Sequence, residues 1–217
     1  MKRTVSLLFL SLAVVLGLSM SASAQIVEMN DAANVSVNGG SIDGYLTGPY
    51  AGTVNGGPTQ NFVCDDFTLT TTTPWYATVG SSNPLTGTVR FTSSTLMPGA
   101  TKQQEYNAIT YLAMQILTHP SATVADENYN AAIWDITSNG KFYDSSAAVL
   151  TDVGLAIAAD NQYNGDLTVY TPTNYKGVNY LLTDQEYLTT PEPLSMALMG
   201  TFLTLAGLGL GRKKLFA

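Results

Sequence analysis

From Leu194 to Gly211 the chain carries no charged side chain, and such a run cannot belong to the same water-facing fold as the polar sequence before it. As a helix rising ~1.5 Å per residue, these eighteen residues would be about 27 Å long, close to the roughly 30 Å hydrocarbon layer of a bilayer. Pro191-Glu192-Pro193 stands before the run and Arg212-Lys213-Lys214 after it. Lys and Arg resist translocation, so the basic cluster predicts a cytoplasmic C-terminus and places everything before Pro191 on the outer side. Residues 191–217 are therefore expected to act as an address with a transmembrane helix at 194–211, outside any globular core.

The other end has matching features. Lys2-Arg3 precede an apolar stretch from Val5 to Leu18, and Ala22-Ser23-Ala24 supplies the small residues that signal peptidase requires. Residues 1–24 read as a signal peptide cleaved after Ala24, which leaves residues 25–190 as the exported part. That length suits one domain with a sizeable core. Between Gln25 and Thr190 four basic side chains stand against fifteen acidic ones, a net charge of −11 compared with −7 for the whole chain. So acidic a surface repels phosphate backbones and excludes nucleic acid as a partner; neutral sugars and cations fit it better. Cys64 is the sole cysteine, so an internal disulfide is impossible and stability must come from packing. His119 is the sole histidine, which with one Cys falls short of the usual zinc ligand set; before Pro120 it reads as a residue at a helix end.

Gly, Thr, Tyr and Val in short alternating stretches predict strands at Asn34 to Val37, Asn61 to Cys64, Phe67 to Thr72, Trp75 to Val79 and Thr86 to Phe91. Asn38-Gly39-Gly40 and Asn55-Gly56-Gly57-Pro58 supply turns. After Met97-Pro98-Gly99 the period lengthens. Tyr106, Ile109, Leu112 and Ile116 predict a helix over Lys102 to Leu117, Tyr129, Ala132, Ile133 and Ile136 a second over Ala125 to Ile136, and Val149, Val153, Leu155 and Ile157 a third over Ser145 to Ala159. Strands return at Leu167 to Thr171 and Val178 to Leu182. The order predicts an α+β domain, a β-sandwich or barrel with one inserted helical cluster.

Pro191-Glu192-Pro193, one apolar span and a basic end, in that order, resemble the PEP-CTERM sorting signal of bacterial exosortase substrates. That resemblance covers only the tail. It implies that an exosortase-type membrane protease removes the anchor near Pro191, Glu192 and Pro193, after which the protein reaches the cell surface or an extracellular polysaccharide matrix, with Arg212, Lys213 and Lys214 left behind inside.

Within the exported part, Asn61-Phe62-Val63-Cys64-Asp65, Tyr106-Asn107-Ala108-Ile109-Thr110-Tyr111-Leu112, Asn130-Ala131-Ala132-Ile133-Trp134 and Asp184-Gln185-Glu186-Tyr187-Leu188 resemble, in order, the thioester domain of Gram-positive surface adhesins. That family implies a bond between the Cys sulfur and a Gln side chain, which captures a nucleophile on a host surface. Here Asn130 stands at the Gln position and Tyr129 where Thr is usual. An Asn amide is one methylene shorter, so its carbonyl would have to be drawn toward Cys64 by the backbone. The alternative for Cys64 is a small buried thiol, and for Ile133 and Trp134 a place in the core.

Asp65-Asp66 invites comparison with paired catalytic carboxylates, but neighbours on a strand point to opposite faces, which predicts one in solvent and one bonded to a turn. A hydrolase using Asp65 and Glu105 would need the two to converge. Tyr45, Tyr50, Trp75 and Tyr76 are candidates for an aromatic face against sugar rings, with ordinary strand packing as the alternative. No nucleophile elbow, phosphate loop or metal-binding His/Cys motif is present. The sequence thus points to a non-enzymatic exported surface or matrix protein without catalytic residues, cofactor or metal.

Overall fold

The computed structural model describes residues 25–29, 41–42, 45–67, 74–91, 94–118, 124–182 and 184–191. The expected signal segment with Ala22 and Ala24, the strand expected at Asn34 to Val37, His119, and Glu192 onward, including the span expected at 194–211, lie outside them. Among the described residues no helix is long and apolar enough to cross a membrane.

Among the described residues ten strands and three helices make an α+β fold. The strands are β1 (Gln25–Met29), β2 (Ser41–Ile42), β3 (Tyr45–Leu46), β4 (Tyr50–Val54), β5 (Gln60–Cys64), β6 (Trp75–Ser81), β7 (Thr168–Pro172), β8 (Asn174–Tyr175), β9 (Val178–Asn179) and β10 (Tyr187–Thr189). Six of them form a curled antiparallel sheet in the order β1, β4, β5, β10, β7, β6, and pairing of β1 with β6 through Gln25↔Ala77 and Val27↔Trp75 closes the curl. Closure leaves no unpaired edge. Short hairpins β2–β3 and β8–β9 stand apart from the curl.

Alternation along the strands sorts the side chains. Phe62, Cys64, Trp75, Ala77, Tyr170 and Tyr187 fill the inside, where Phe62 meets Tyr170 edge-on with ring centres 5.8 Å apart. Their neighbours Val63, Val169 and Leu188 turn outward into a second core built by the helices α1 (Lys102–Thr118), α2 (Val124–Thr137) and α3 (Ala147–Ala159). The wall made by β5, β10 and β7 is thus buried on both faces. The helical period holds: Tyr106, Ile109, Leu112, Ala113 and Ile116 are all fully buried on one side of α1. Thr101 and Gln104 cap α1 reciprocally, Thr101 N–H donating to Gln104 Oε1 at 2.8 Å and Gln104 N–H to Thr101 Oγ1 at 3.3 Å. Ser146 caps α3, so that helix starts just after the expected Ser145.

Asn55 and Gly56, with φ of 52° and 67°, make the turn between β4 and β5, as their types predict. Thr86 to Phe91, by contrast, is not a strand. Its backbone is engaged by side chains: Thr171 Oγ1 donates to Thr88 O at 2.6 Å, and Arg90 N–H donates to Glu186 Oε2 at 3.2 Å. Once those groups are satisfied this way, no ladder partner is required. The segment starts close against β6, where a Cβ on Gly80 would lie 2.1 Å from Thr86 O. Val178 to Leu182 is only partly extended, β9 giving way to a 3-10 turn at Tyr180–Leu182.

Candidate functional site

Three polar constellations are buried where the β5–β10–β7 wall meets the helices. The first is a carboxyl pair. Asp65 lies just beyond β5 and Glu186 just before β10, and Asp65 N–H donates to Glu186 O at 3.3 Å. Both side chains have no exposure to solvent. The Glu186 carboxylate accepts from the hydroxyls of Tyr106 on α1 and Thr171 on β7, and from Arg90 N–H at 3.2 Å. The Asp65 carboxyl turns to Glu186 itself. Two carboxyls in contact in a dry space cannot both be ionised. Three donors hold the negative charge on Glu186. Burial, and after it the Glu186 charge, lifts Asp65 well above the usual carboxylate range, whereas the donors around Glu186 oppose the rise that burial causes there, so Asp65 is the member of the pair that favours the proton.

The second is a buried ion pair. Arg90 Nη1 lies 2.7 Å from Asp66 Oδ2, with Asp66 fully buried and Arg90 19% exposed. The guanidinium also donates to Asp184 O at 2.6 Å and Leu181 O at 2.5 Å, and Gln185 Nε2 donates to Asp66 O at 2.8 Å. Contrary to expectation, neither Asp65 nor Asp66 is solvated. β5 ends at Cys64, and beyond it strand alternation no longer separates the two: one enters the sheet–helix seam and the other meets Arg90.

The third joins Cys64 and Asn130, the two residues that the adhesin resemblance pairs. Asn130, fully buried on α2, donates from Nδ2 to Cys64 O at 3.1 Å and accepts Gly48 N–H on Oδ1 at 2.7 Å. The amide therefore bridges two stretches of backbone. The Cys64 thiol donates to Asp66 O at 3.1 Å and accepts Asp66 N–H at 3.3 Å. Burial first, and after it the neighbouring acidic groups Asp65 and Asp66, push the thiol well above its ordinary pKa, which holds it in the unreactive protonated form.

The remaining sequence candidates are dispersed. Glu105 accepts Ser94 N–H at 2.5 Å, whereas Asp65 is committed to Glu186. Trp75 is fully buried inside the curl and Tyr50 meets Tyr187 edge-on there at 5.8 Å, while Tyr76 stacks outside on Tyr175 with ring centres 3.9 Å apart. Trp75, Tyr50 and Tyr76 thus form no common face for a sugar ring, because successive strand residues alternate sides. Ile133 and Trp134 are core residues. Pro191 is exposed. Among the described residues no group of His, Cys, Asp and Glu has the geometry to hold a metal ion.

Sequence reasoning assigned no role to Glu186, Arg90 or Thr171. The one available signal is positional: Glu186 is two residues from Leu188, so alternation puts it on the helix-facing side of a strand, where an acid requires partners. No family model, curated protein or solved structure matches this chain.

Proposed function

We propose that this chain is a non-enzymatic exported protein of the cell surface or extracellular matrix, delivered through its C-terminal tail by an exosortase-type system. The reading rests on the order of Pro191-Glu192-Pro193, the uncharged 194–211 run and Arg212-Lys213-Lys214. The observation that carries it from tail to cargo is the junction. β10 ends at Thr189, whose hydroxyl is tied to Asn61 O at 2.6 Å, and Pro191 is already exposed, so the tripeptide begins where the packed wall stops. A non-enzymatic role is supported by the commitments of the buried acids: Asp65, Asp66 and Glu186 serve each other, Arg90 and three protein donors. The test is mass spectrometry of the protein recovered from the cell surface. The expected product starts at Gln25 and ends within or close to Pro191-Glu192-Pro193; recovery of Phe216-Ala217 on the surface form would sink C-terminal removal.

A second reading, the reactive adhesin, is favoured by one observation, the contact of Asn130 with the Cys64 backbone. Attack of Sγ on the Asn130 amide carbon would form the thioester and release ammonia. Intact mass decides it: a chain lighter by one ammonia and inert to alkylation after unfolding supports this reading, and full mass with an alkylated Cys64 removes it.

A further inference from the structure

The end of the curl from which the chain leaves is well defined. Thr189 pairs with Thr168, the first residue of β7, which in turn pairs with Ser81, the last residue of β6. The Thr189 hydroxyl also lies 3.3 Å from Gln60 Oε1, at the start of β5. The exit end therefore comprises the β4–β5 turn, the start of β5 and the corner where Asp166 Oδ1 accepts from Ser81 Oγ at 2.7 Å and Asn83 N–H at 3.2 Å. At the opposite end Tyr76, near the start of β6, stacks on Tyr175 of the β8–β9 hairpin, which carries the exposed Val178.

We propose that in the membrane-held precursor the exit end, with Thr59, Gln60, Ser81 and Asp166, lies against the lipid headgroups and the β8–β9 hairpin faces away from them. This rests on the reading of 194–211 as a membrane span. Only Thr190, Pro191, Glu192 and Pro193 separate β10 from that run, a tether of about 13 Å even when fully extended at ~3.3 Å per residue. Its two prolines favour a stiff extended form, which limits swivelling. Tyr76 is five residues from Ser81 along β6, about 17 Å at ~3.4 Å per residue, with the hairpin stacked beyond it. The tether is exhausted before the domain can turn over. Exposed apolar side chains alone would suggest the reverse, since Val178 is 50% and Leu182 71% exposed. The tether outweighs them, because side chains held a barrel's height above the headgroups gain nothing from lipid. The polar exit end suits a hydrated headgroup layer and has no need of the hydrocarbon below.

The experiment uses the full chain in phosphatidylcholine vesicles, with an environment-sensitive fluorophore on Thr59→Cys or on Val178→Cys and a headgroup spin-labelled lipid as quencher. Both positions are exposed or on a turn, and the buried Cys64 of the unsubstituted protein serves as the labelling control. Quenching is expected to be several-fold stronger at Thr59→Cys, and a long Gly/Ser insert between Thr190 and Pro191 is expected to abolish that difference. Equal quenching, stronger quenching at Val178→Cys, or a difference that survives the insert would overturn the proposal. Flotation keeps the two readings apart: a chain that fails to rise with the vesicles removes the membrane span itself, while one that rises with the wrong quenching order removes only the orientation.

Discussion

Asp65 is the residue whose environment most contradicts its chemistry, and its cost can be stated with a sign. Its folded pKa is raised, so the folded state holds a proton that an unfolded Asp, near ~3.9, gives up. Its contribution to stability is fully present below about pH 4 and declines as pH rises toward the folded value. Asp135, pushed up to about 6 chiefly by burial and accepting Asp144 N–H at 3.0 Å, adds a loss of the same sign between about pH 4 and 6. Asp65→Asn supplies an amide donor to Glu186 that needs no proton, and is expected to stabilise the domain by about 1–3 kcal/mol at pH 8 while flattening the pH dependence. Urea unfolding at pH 5 and 8 measures this; an Asn variant weaker at pH 8 than the parent would refute the shared proton. Arg90→Ala should act in the opposite direction, costing about 3–5 kcal/mol, because it takes the guanidinium away from the buried Asp66 carboxylate. None of this was legible before folding. Asp65 and Glu186 are 121 positions apart in sequence, and what pairs them is the insertion of β10 beside β5.

Helices were readable as elements because each presents a single buried face, so Ile109, Ile133 and Val153 mark their own positions. Among the strands, β6 was readable through its alternation and β7 through its apolar run, whereas β4, which alternates as well, and the fully buried β10 were missed. Tyr187, Leu188 and Thr189 of β10 are all buried, and a run of only three residues is too short to show a period. Of the site, Cys64 and Asn130 were found together through pattern alone, yet the contact is between an amide and a backbone carbonyl. That makes Asn130 the strap between α2 and the curl. Asn130→Ala would leave the buried Gly48 N–H and Cys64 O without partners and is expected to cost about 2–4 kcal/mol, read as a shift in the denaturation midpoint. Asn130→Asp keeps the acceptor for Gly48 but loses the donor to Cys64, so its loss should be smaller unless its charge is retained; a fall as large as that of Ala at pH 5 would assign the strap to the Cys64 side.

At the scale of the molecule the last strand is the decisive one. β10 lies between β5 and β7, in the middle of the two-faced wall, although it is the final element before the tail. Without it Glu186 is missing, Asp65 has no partner, and Leu188 and Tyr187 leave gaps in both cores at once. Stepwise loss is therefore not expected; the domain should fold as a unit or not at all. The pairing of chain ends also makes completion late, since β1, β4 and β5 must wait for residues near 187, and contacts of such separation close slowly. Under the proposed export route, in which the next segment would halt in the membrane, the curl could close only when translocation had run to within a few residues of that segment. Truncation separates this from a domain that tolerates a missing edge. A chain comprising residues 25–191 is expected to unfold in one cooperative step, whereas one ending at Asp184 should lack near-UV circular dichroism and show no cooperative transition. A folded, cooperative 25–184 fragment would mean that β5 and β7 can pair directly, and that the junction between wall and tail carries no structural weight.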